Sequence, residues 1–356
     1  MKNAEISIIQ RGILYSVGLA FFVLVVVFTL WNWEIEGISL GMIWAKTNKP
    51  LFLLAIFLIS LAVPCVSLRW RALFAPQDKK RLSPFFMTGV LCVAFVFNFV
   101  LPGPVGEGIS AWILHKKDDV SFGDALAGLG LSRVIGLATA CLIAGLVYIL
   151  APFAIPDKWV LALEVATGLL SMAAISLLAV VIFPQVPKKV LKIMQGWLIF
   201  QWEWQQRLFG LADTFLDALL NTASRGWKAY AESSFWAMFG HCMVALGIYC
   251  GVIAMGKDAE WSAVLFTYAG SIAGSIAMFL LPGSSIGWDI LFAETLSITA
   301  NLELPVAIAV TAIVRLQQVL VALFGVLMVL LVAKDLVLDA LRVNMKGQES
   351  EKSHDF

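Results

Sequence analysis

Two arginines stand inside long apolar runs, where an ionised side chain is costly. Arg133 lies in the run at residues 123–152, and Arg315 lies in the run at residues 304–333. Insertion scales put an arginine at the centre of a membrane helix at a cost of about 2.5–3.5 kcal/mol, so such residues are usually paired, face a cavity or serve a function. A guanidinium can hold a phosphate or carboxylate through two parallel hydrogen bonds. The two arginines therefore predict recognition of an anionic group within the membrane.

One acid precedes each arginine, close to a copy of a repeated phrase. The phrases are FVLPGPVGEG at residues 99–108 and FLLPGSSIGW at residues 279–288, half a chain apart. Glu107 and Asp289 follow the two Leu-Pro-Gly turns at similar distances, so one acid is expected near one arginine in each half. Such pairs can brace a fold. They can also bind an anionic headgroup through the arginine while the acid exchanges a proton, helped by the positive end of a half-helix. Both interpretations remain open.

Other polar residues in apolar surroundings extend the candidate site. Asn98 precedes the first turn, where its amide is expected to satisfy broken backbone or a ligand. Glu294 follows the second turn and is either a proton-coupling group, as Glu107 and Asp289 could be, or a residue that faces water. His241 is the one histidine within a predicted span; it is either a proton-coupling group or a hydrogen-bonded helix contact. The turns themselves are predicted to be formed by Pro102, Gly103, Gly106, Pro282, Gly283 and Gly287.

The composition excludes a soluble globule for these 356 residues. Hydrophobic residues make up 60%, charged residues only 14%, and the mean hydropathy is +0.89, so the bilayer must be the solvent. A net charge of +1 gives no signal for nucleic acid, and no phosphate-binding GxxxxGK[ST] loop is present. The five cysteines have neither metal-type nor CxxC spacing. We therefore expect no metal and no cofactor.

Charge distribution predicts the topology. The basic stretch from Arg69 to Arg81 is assigned to a cytoplasmic loop by the excess of Lys and Arg in such loops. A full crossing after it would place His115, Lys116 and Lys117 outside, against the same rule, whereas a hairpin that enters and returns keeps both basic loops inside. The predicted fold is an all-α polytopic membrane protein with both termini cytoplasmic, six full spans and two re-entrant helical hairpins in two inverted repeats.

The predicted domain organisation follows from this topology. The first repeat covers residues 1–152 and the second covers residues 159–333, and each is built as two spans, a hairpin and a span. Pro-Gly breaks at corresponding points of inverted repeats are the sequence pointer to a transporter's central site; two ordinary kinked spans are the alternative. The predicted parts are the spans at 12–31, 51–68, 123–152, 159–183, 233–256 and 304–333, the hairpins at 84–114 and 262–300, an interfacial amphipathic insertion at 187–228 and a tail at 334–356.

The repeated phrases also resemble a known family. FNFVLPGPVGEGISAWIL, DDVSFGDALAGLGLSRVIGL and FLLPGSSIGWDILFAETL are similar to the flippase-like membrane family typified by the transmembrane region of lysylphosphatidylglycerol synthases, over about residues 10 to 335. The resemblance implies a bacterial or archaeal cytoplasmic membrane and a role in moving lipids or lipid-linked sugars; hopanoid-associated proteins belong to the same group. Two departures are Gly-Ile-Ser-Ala-Trp after Glu107, in place of a nearby arginine, and Trp288-Asp289 after Gly287, in place of two residues and a glutamate.

These observations together predict a lipid translocator rather than an enzyme. Its partners would be membrane lipids and, in a scaffold role, lipid-synthesis enzymes, but not nucleic acid. One alternative is an intramembrane lipid-modifying transferase with Glu107 or Asp289 as general base. The other is a non-catalytic scaffold of a lipid-synthesis complex that docks through residues 187–228.

Overall fold

The structure is a computed structural model that describes residues 44–100, 105–150, 224–278 and 284–332, together with isolated positions outside these ranges. The described part is helical apart from two paired two-residue strands, β1 (Glu34–Ile35) and β2 (Ile38–Ser39). Four helical segments are long and apolar enough to cross a membrane: Lys49–Arg71, Phe122–Leu150, Trp227–Ala254 and Leu304–Met328. The prediction of an all-helical membrane protein is confirmed. The predicted spans at 12–31 and 159–183, the insertion at 187–228 and the tail at 334–356 lie wholly or largely outside the described residues.

The first described span is interrupted shortly before a proline, Pro64. It consists of α1 (Lys49–Ser60) and α2 (Ala62–Arg71), separated at Leu61. Pro64 has no backbone N–H to bond the carbonyl four residues earlier and its ring crowds that carbonyl, which explains the break. Asn48 caps the start of α1 by accepting a hydrogen bond from the Leu51 amide at 3.3 Å. The span reaches Arg71, so Arg69 and Trp70 are helical and buried rather than part of a loop as predicted.

Helical hairpins occupy corresponding places in the two halves. α3 (Pro76–Arg81) is followed by the antiparallel pair α4 (Pro84–Val100) and α5 (Val105–Asp118), and then by α6 (Phe122–Leu150). In the second half α7 (Trp227–Ala254) is followed by the pair α8 (Trp261–Met278) and α9 (Ser284–Thr299), and then by α10 (Leu304–Val332). A hydrogen bond of 2.7 Å between Thr267 and Thr299 joins α8 to α9 far from the turn between them. Each half thus ends in a hairpin and a long helix.

Packing between the halves is reciprocal. α6 packs against α8, the first arm of the other half's hairpin, and α10 packs against α4 in the same way. α1 and α2 pack against α7. Glycine allows the closest approaches: a Cβ at Gly325 on α10 would collide with the Cys92 carbonyl on α4, and one at Gly247 on α7 would collide with Ile59 on α1. The halves therefore form one continuous bundle.

The outer surface of this bundle is apolar. Large hydrophobic side chains point outward on several helices, among them Leu53, Phe85, Ile149 and Leu323, each exposed by more than half. Interior contacts form two main clusters, one around Phe292 and Ile248 and one that includes Trp70. An apolar exterior around an apolar core fits a lipid environment, where no polar surface is needed.

Candidate functional site

Glu107 and Arg133 form an ion pair in the first half. Glu107 lies in the first turn of α5, and Arg133 lies about a third of the way along α6, which packs beside α5. Nη2 of Arg133 donates to Oε1 of Glu107. The carboxylate side chain is only 14% exposed whereas the arginine side chain is 57% exposed, so the acid is buried and the guanidinium is accessible.

Asp289 and Arg315 form the corresponding ion pair in the second half. Asp289 lies near the start of α9, and Arg315 lies on α10, which packs beside α9. Nε of Arg315 donates to Oδ1 of Asp289 at 2.7 Å. In both halves the acid and the arginine are 26 residues apart in sequence. The same hairpin-and-helix unit therefore produces the same charge pair twice.

The second pair is held by additional groups. Nη1 of Arg315 donates to Oε1 of Gln318 at 2.6 Å, and its guanidinium carbon lies 5.2 Å from the centre of the Trp288 ring. Trp288 in turn stacks on Phe292 with ring centres 4.9 Å apart. The aromatic face attracts the cation, so Arg315 is fixed by a carboxylate, an amide and an indole. Trp288, a departure from the family's usual phrase, is therefore a direct neighbour of Arg315 that sequence reasoning did not identify.

The other predicted site residues have different positions. Gly106 is buried beside Glu107, whereas Glu294 is exposed on α9. Gly287 belongs to α9, and Asn98 belongs to α4, but their side-chain surroundings lie outside what the structure describes. The turn residues Pro102, Gly103, Pro282 and Gly283 also lie outside the described residues.

His241 is a helix contact between three elements. It is 7% exposed on α7. Nε2 lies 2.8 Å from the Gly136 carbonyl of α6, and Nδ1 lies 3.2 Å from the Tyr268 hydroxyl of α8. A carbonyl oxygen can only accept, so Nε2 carries the proton and, in a neutral ring, Nδ1 accepts from the tyrosine. Whether this network also exchanges protons remains a prediction.

Arg69 belongs to the same interior region, which sequence reasoning missed. It is 7% exposed on α2, and its Nε donates to the Ser132 hydroxyl on α6 at 2.9 Å. The signal was weak because a basic residue at the end of an apolar run is typical of a loop that sets topology. Gly136, one turn beyond Ser132 on α6, provides space for the large Arg69 side chain.

A polytopic helical membrane protein with an acid–arginine pair in each half is the class that the fold and the site define. The family described as the lysylphosphatidylglycerol synthase transmembrane region matches residues 15–325, and the chain belongs to that family. No curated protein and no solved structure matches the chain. The family assignment places the protein in the membrane and connects it with lipids.

Proposed function

We propose that the protein is a lipid translocator that moves an anionic or polar-headgroup lipid, or a polyprenyl-linked lipid, between the leaflets of a bacterial or archaeal cytoplasmic membrane. The observation that carries the proposal is the recurrence of one acid–arginine pair at the same spacing in both halves. A single pair could be a brace for one hairpin. Two corresponding pairs, both on helices of a bundle with an apolar exterior, fit a lipid whose headgroup is held by charge while its tails stay in the membrane.

The proposed architecture consists of two inverted repeats with re-entrant hairpins and both termini in the cytoplasm. The reciprocal packing of α6 on α8 and of α10 on α4 supports it, because a pseudo-two-fold relation pairs each element of one half with its counterpart in the other. Alternating exposure would then come from rocking one repeat against the other. The hairpins would meet near the midplane and present Arg133 and Arg315 to the headgroup.

The proposed division of roles follows the geometry of the pairs. Arg133 would take the headgroup first, since its guanidinium is accessible while Glu107 neutralises it between cycles. Arg315 would bind less readily, because Asp289 and Gln318 already use two of its nitrogens. Proton exchange by Glu107, Asp289, Glu294 or His241 is one way to couple the cycle to a gradient. In a scaffold role the protein would instead dock with lipid-synthesis enzymes.

The test uses purified protein in liposomes that contain a fluorescent phosphatidylglycerol. A membrane-impermeant reductant quenches only the outer leaflet, so a translocator raises the quenched fraction above that of protein-free liposomes. Extraction and mass analysis of the same lipids separate the classes. Redistribution with unchanged lipid masses supports translocation; a new lipid species without redistribution would identify a transferase, and neither effect with any tested lipid would favour a scaffold.

A further inference from the structure

Arg69 is a buried cation whose guanidinium is only partly satisfied. It lies on α2 with 7% of its surface exposed, and within the described residues its side chain makes one hydrogen bond, from Nε to the Ser132 hydroxyl. Among the described residues, Nη1 and Nη2 have no acceptor. Arg71, two residues further along the same helix, differs: its Nε and Nη2 donate to the carbonyls of Leu82 and Lys79 at 2.6 and 2.7 Å. Nη1 and Nη2 of Arg69 can therefore donate to an acceptor other than the described residues.

No carboxylate of the described residues lies within ion-pair distance of Arg69. The ion pairs in that part of the chain join Lys79 to Glu232, Arg133 to Glu107, Arg225 to Asp124, Lys257 to Glu303 and Arg315 to Asp289. A buried charge without a counter-charge is strongly unfavourable, and proteins normally pair it. An anion from outside the chain would supply the missing partner.

Arg133 adds a second positive charge to the same region. It follows Ser132, the hydrogen-bond partner of Arg69, directly on α6, so the two positive charges belong to the same part of the bundle. Glu107 is the carboxylate bonded to Arg133. Two guanidinium groups and one bonded acid leave a net positive charge, which favours a ligand with at least one negative charge.

The groups around Arg69 keep its guanidinium in place without neutralising it. A Cβ at Gly136 would collide with the guanidinium, so the helix surface of α6 is shaped to admit it. The Gly136 carbonyl is engaged by His241, and the His241 ring is engaged by Tyr268. Ser233 donates to the Arg69 backbone carbonyl at 3.1 Å and fixes that turn of α2. The arginine is thus preorganised by neutral groups from α6, α7 and α8.

We propose that Arg69, with Arg133 beside it, forms an anion-binding site for a phosphate-type group in the interior of the bundle. Two parallel hydrogen bonds from Nη1 and Nη2 suit the oxygens of a phosphate or phosphodiester. The occupant is the phosphodiester of a lipid headgroup or free phosphate, and the inference rests on the proposed function only for the first of these sources.

The test measures ligand-induced thermal stabilisation of the full chain in an uncharged detergent. The probes are dihexanoyl phosphatidylglycerol and inorganic phosphate, each titrated separately. Wild type and the matched control Arg71→Gln are expected to show a saturable rise of several degrees. Arg69→Gln should need at least about tenfold more probe for the same rise. A response to the lipid alone identifies a headgroup site; a response to inorganic phosphate at equal concentration identifies free phosphate as the occupant.

Ser132→Asp keeps the test decisive if Arg69→Gln does not fold. A carboxylate at this position would lie against Nε of Arg69 and act as a built-in anion. The variant should melt at or above the wild-type temperature without probe, and it should lose the probe-induced rise. A wild-type response in Ser132→Asp, or in folded Arg69→Gln, would overturn the site. Leaflet transfer by wild type is measured separately, so loss of translocation and loss of this site are distinguishable.

Discussion

The two acid–arginine pairs have the same spacing but different surroundings. In the first half a buried Glu107 meets an arginine that is 57% exposed. In the second half Asp289 and Arg315 are both about one-third exposed, and the arginine also contacts Gln318 and Trp288. Equal spacing shows that the hairpin-and-helix unit sets the pairing. Unequal surroundings show that the two pairs are not equivalent.

This difference between the pairs points to different roles for Arg133 and Arg315 within the proposed transporter. Arg133 can reach an additional partner without breaking its ion pair, because its side chain is 57% exposed. Two nitrogens of Arg315 already donate to Asp289 and Gln318, so its substitution should affect stability as well as binding. The following predictions test whether the two halves are equivalent in orientation, in binding and in stability.

The largest contrast expected between the halves is their orientation. Single cysteines at Asp118 and Lys257, on a background without the five native cysteines, should be labelled by an impermeant thiol reagent from opposite sides of the membrane. Asp118 ends the first hairpin and Lys257 precedes the second, so inverted repeats place them on the cytoplasmic and outer faces respectively. Labelling of both positions from one side would contradict the inverted arrangement.

Arg133→Gln should reduce lipid redistribution by about ten- to hundredfold, the equivalent of about 1.5–3 kcal/mol for a hydrogen bond to a charged group. Arg133→Lys should keep part of the activity, because lysine retains the charge but not the planar fork. Arg71→Gln is the control. Arg71 lies at the end of α2, and within the described residues its side chain donates to the backbone carbonyls of Leu82 and Lys79. Unchanged transport per folded molecule in Arg133→Gln would mean that the arginine braces the hairpin.

Gly325→Ala should destabilise the interface between α10 and α4. The new Cβ would meet the Cys92 carbonyl and the Val96 side chain, and overpacking of this kind costs about 1–3 kcal/mol. Gly108→Ala is the matched control on α5, where a Cβ meets nothing within 4 Å. It should leave the melting temperature unchanged or raise it slightly, because alanine favours helix. Equal effects of the two changes would show that α10 does not pack closely on α4.

Arg315→Gln should lower the melting temperature more than Arg133→Gln does. It removes the cation from Trp288, worth about 0.5–1 kcal/mol, in addition to the bond to Asp289. A double-mutant cycle with Asp289→Asn measures the coupling within the pair, and the same cycle with Glu107→Gln measures it in the first half. A larger loss of stability in Arg133→Gln would reverse the proposed division of labour.

Asp118, at the end of the first hairpin, should give a small pH effect. Burial raises the pKa of this carboxyl above its usual 3.8, opposed by Lys117, and the Oδ2 atom has no hydrogen-bond partner among the described residues. The folded protein therefore binds the proton more tightly than the unfolded chain, so this group favours folding increasingly as pH falls through its raised pKa. Asp118→Asn should raise the melting temperature slightly at neutral pH and flatten its pH dependence in the acidic range above the usual carboxyl pKa of 3.8. A steeper dependence in the variant would contradict this sign.

Sequence patterns predicted the membrane class and the pairing of each acid with its arginine, because both depend on local composition and a repeat. They did not predict Arg69 as an interior residue. Its burial depends on Ser132 and Gly136, which are distant in sequence, and on the break at Leu61 that leaves α2 helical to Arg71. The contact of Arg315 with Trp288 was also missed, since side-chain geometry across two helices has no sequence period.

The most direct measurement is an experimental structure of the protein in nanodiscs that contain phosphatidylglycerol. The account predicts elongated lipid density with its headgroup at Arg133, within the bundle and near the Glu107 carboxylate, and weaker or additional headgroup density at Arg315. Density confined to the outer apolar belt, with both arginines bonded only to their own acids, would contradict the claim that these pairs receive a lipid headgroup.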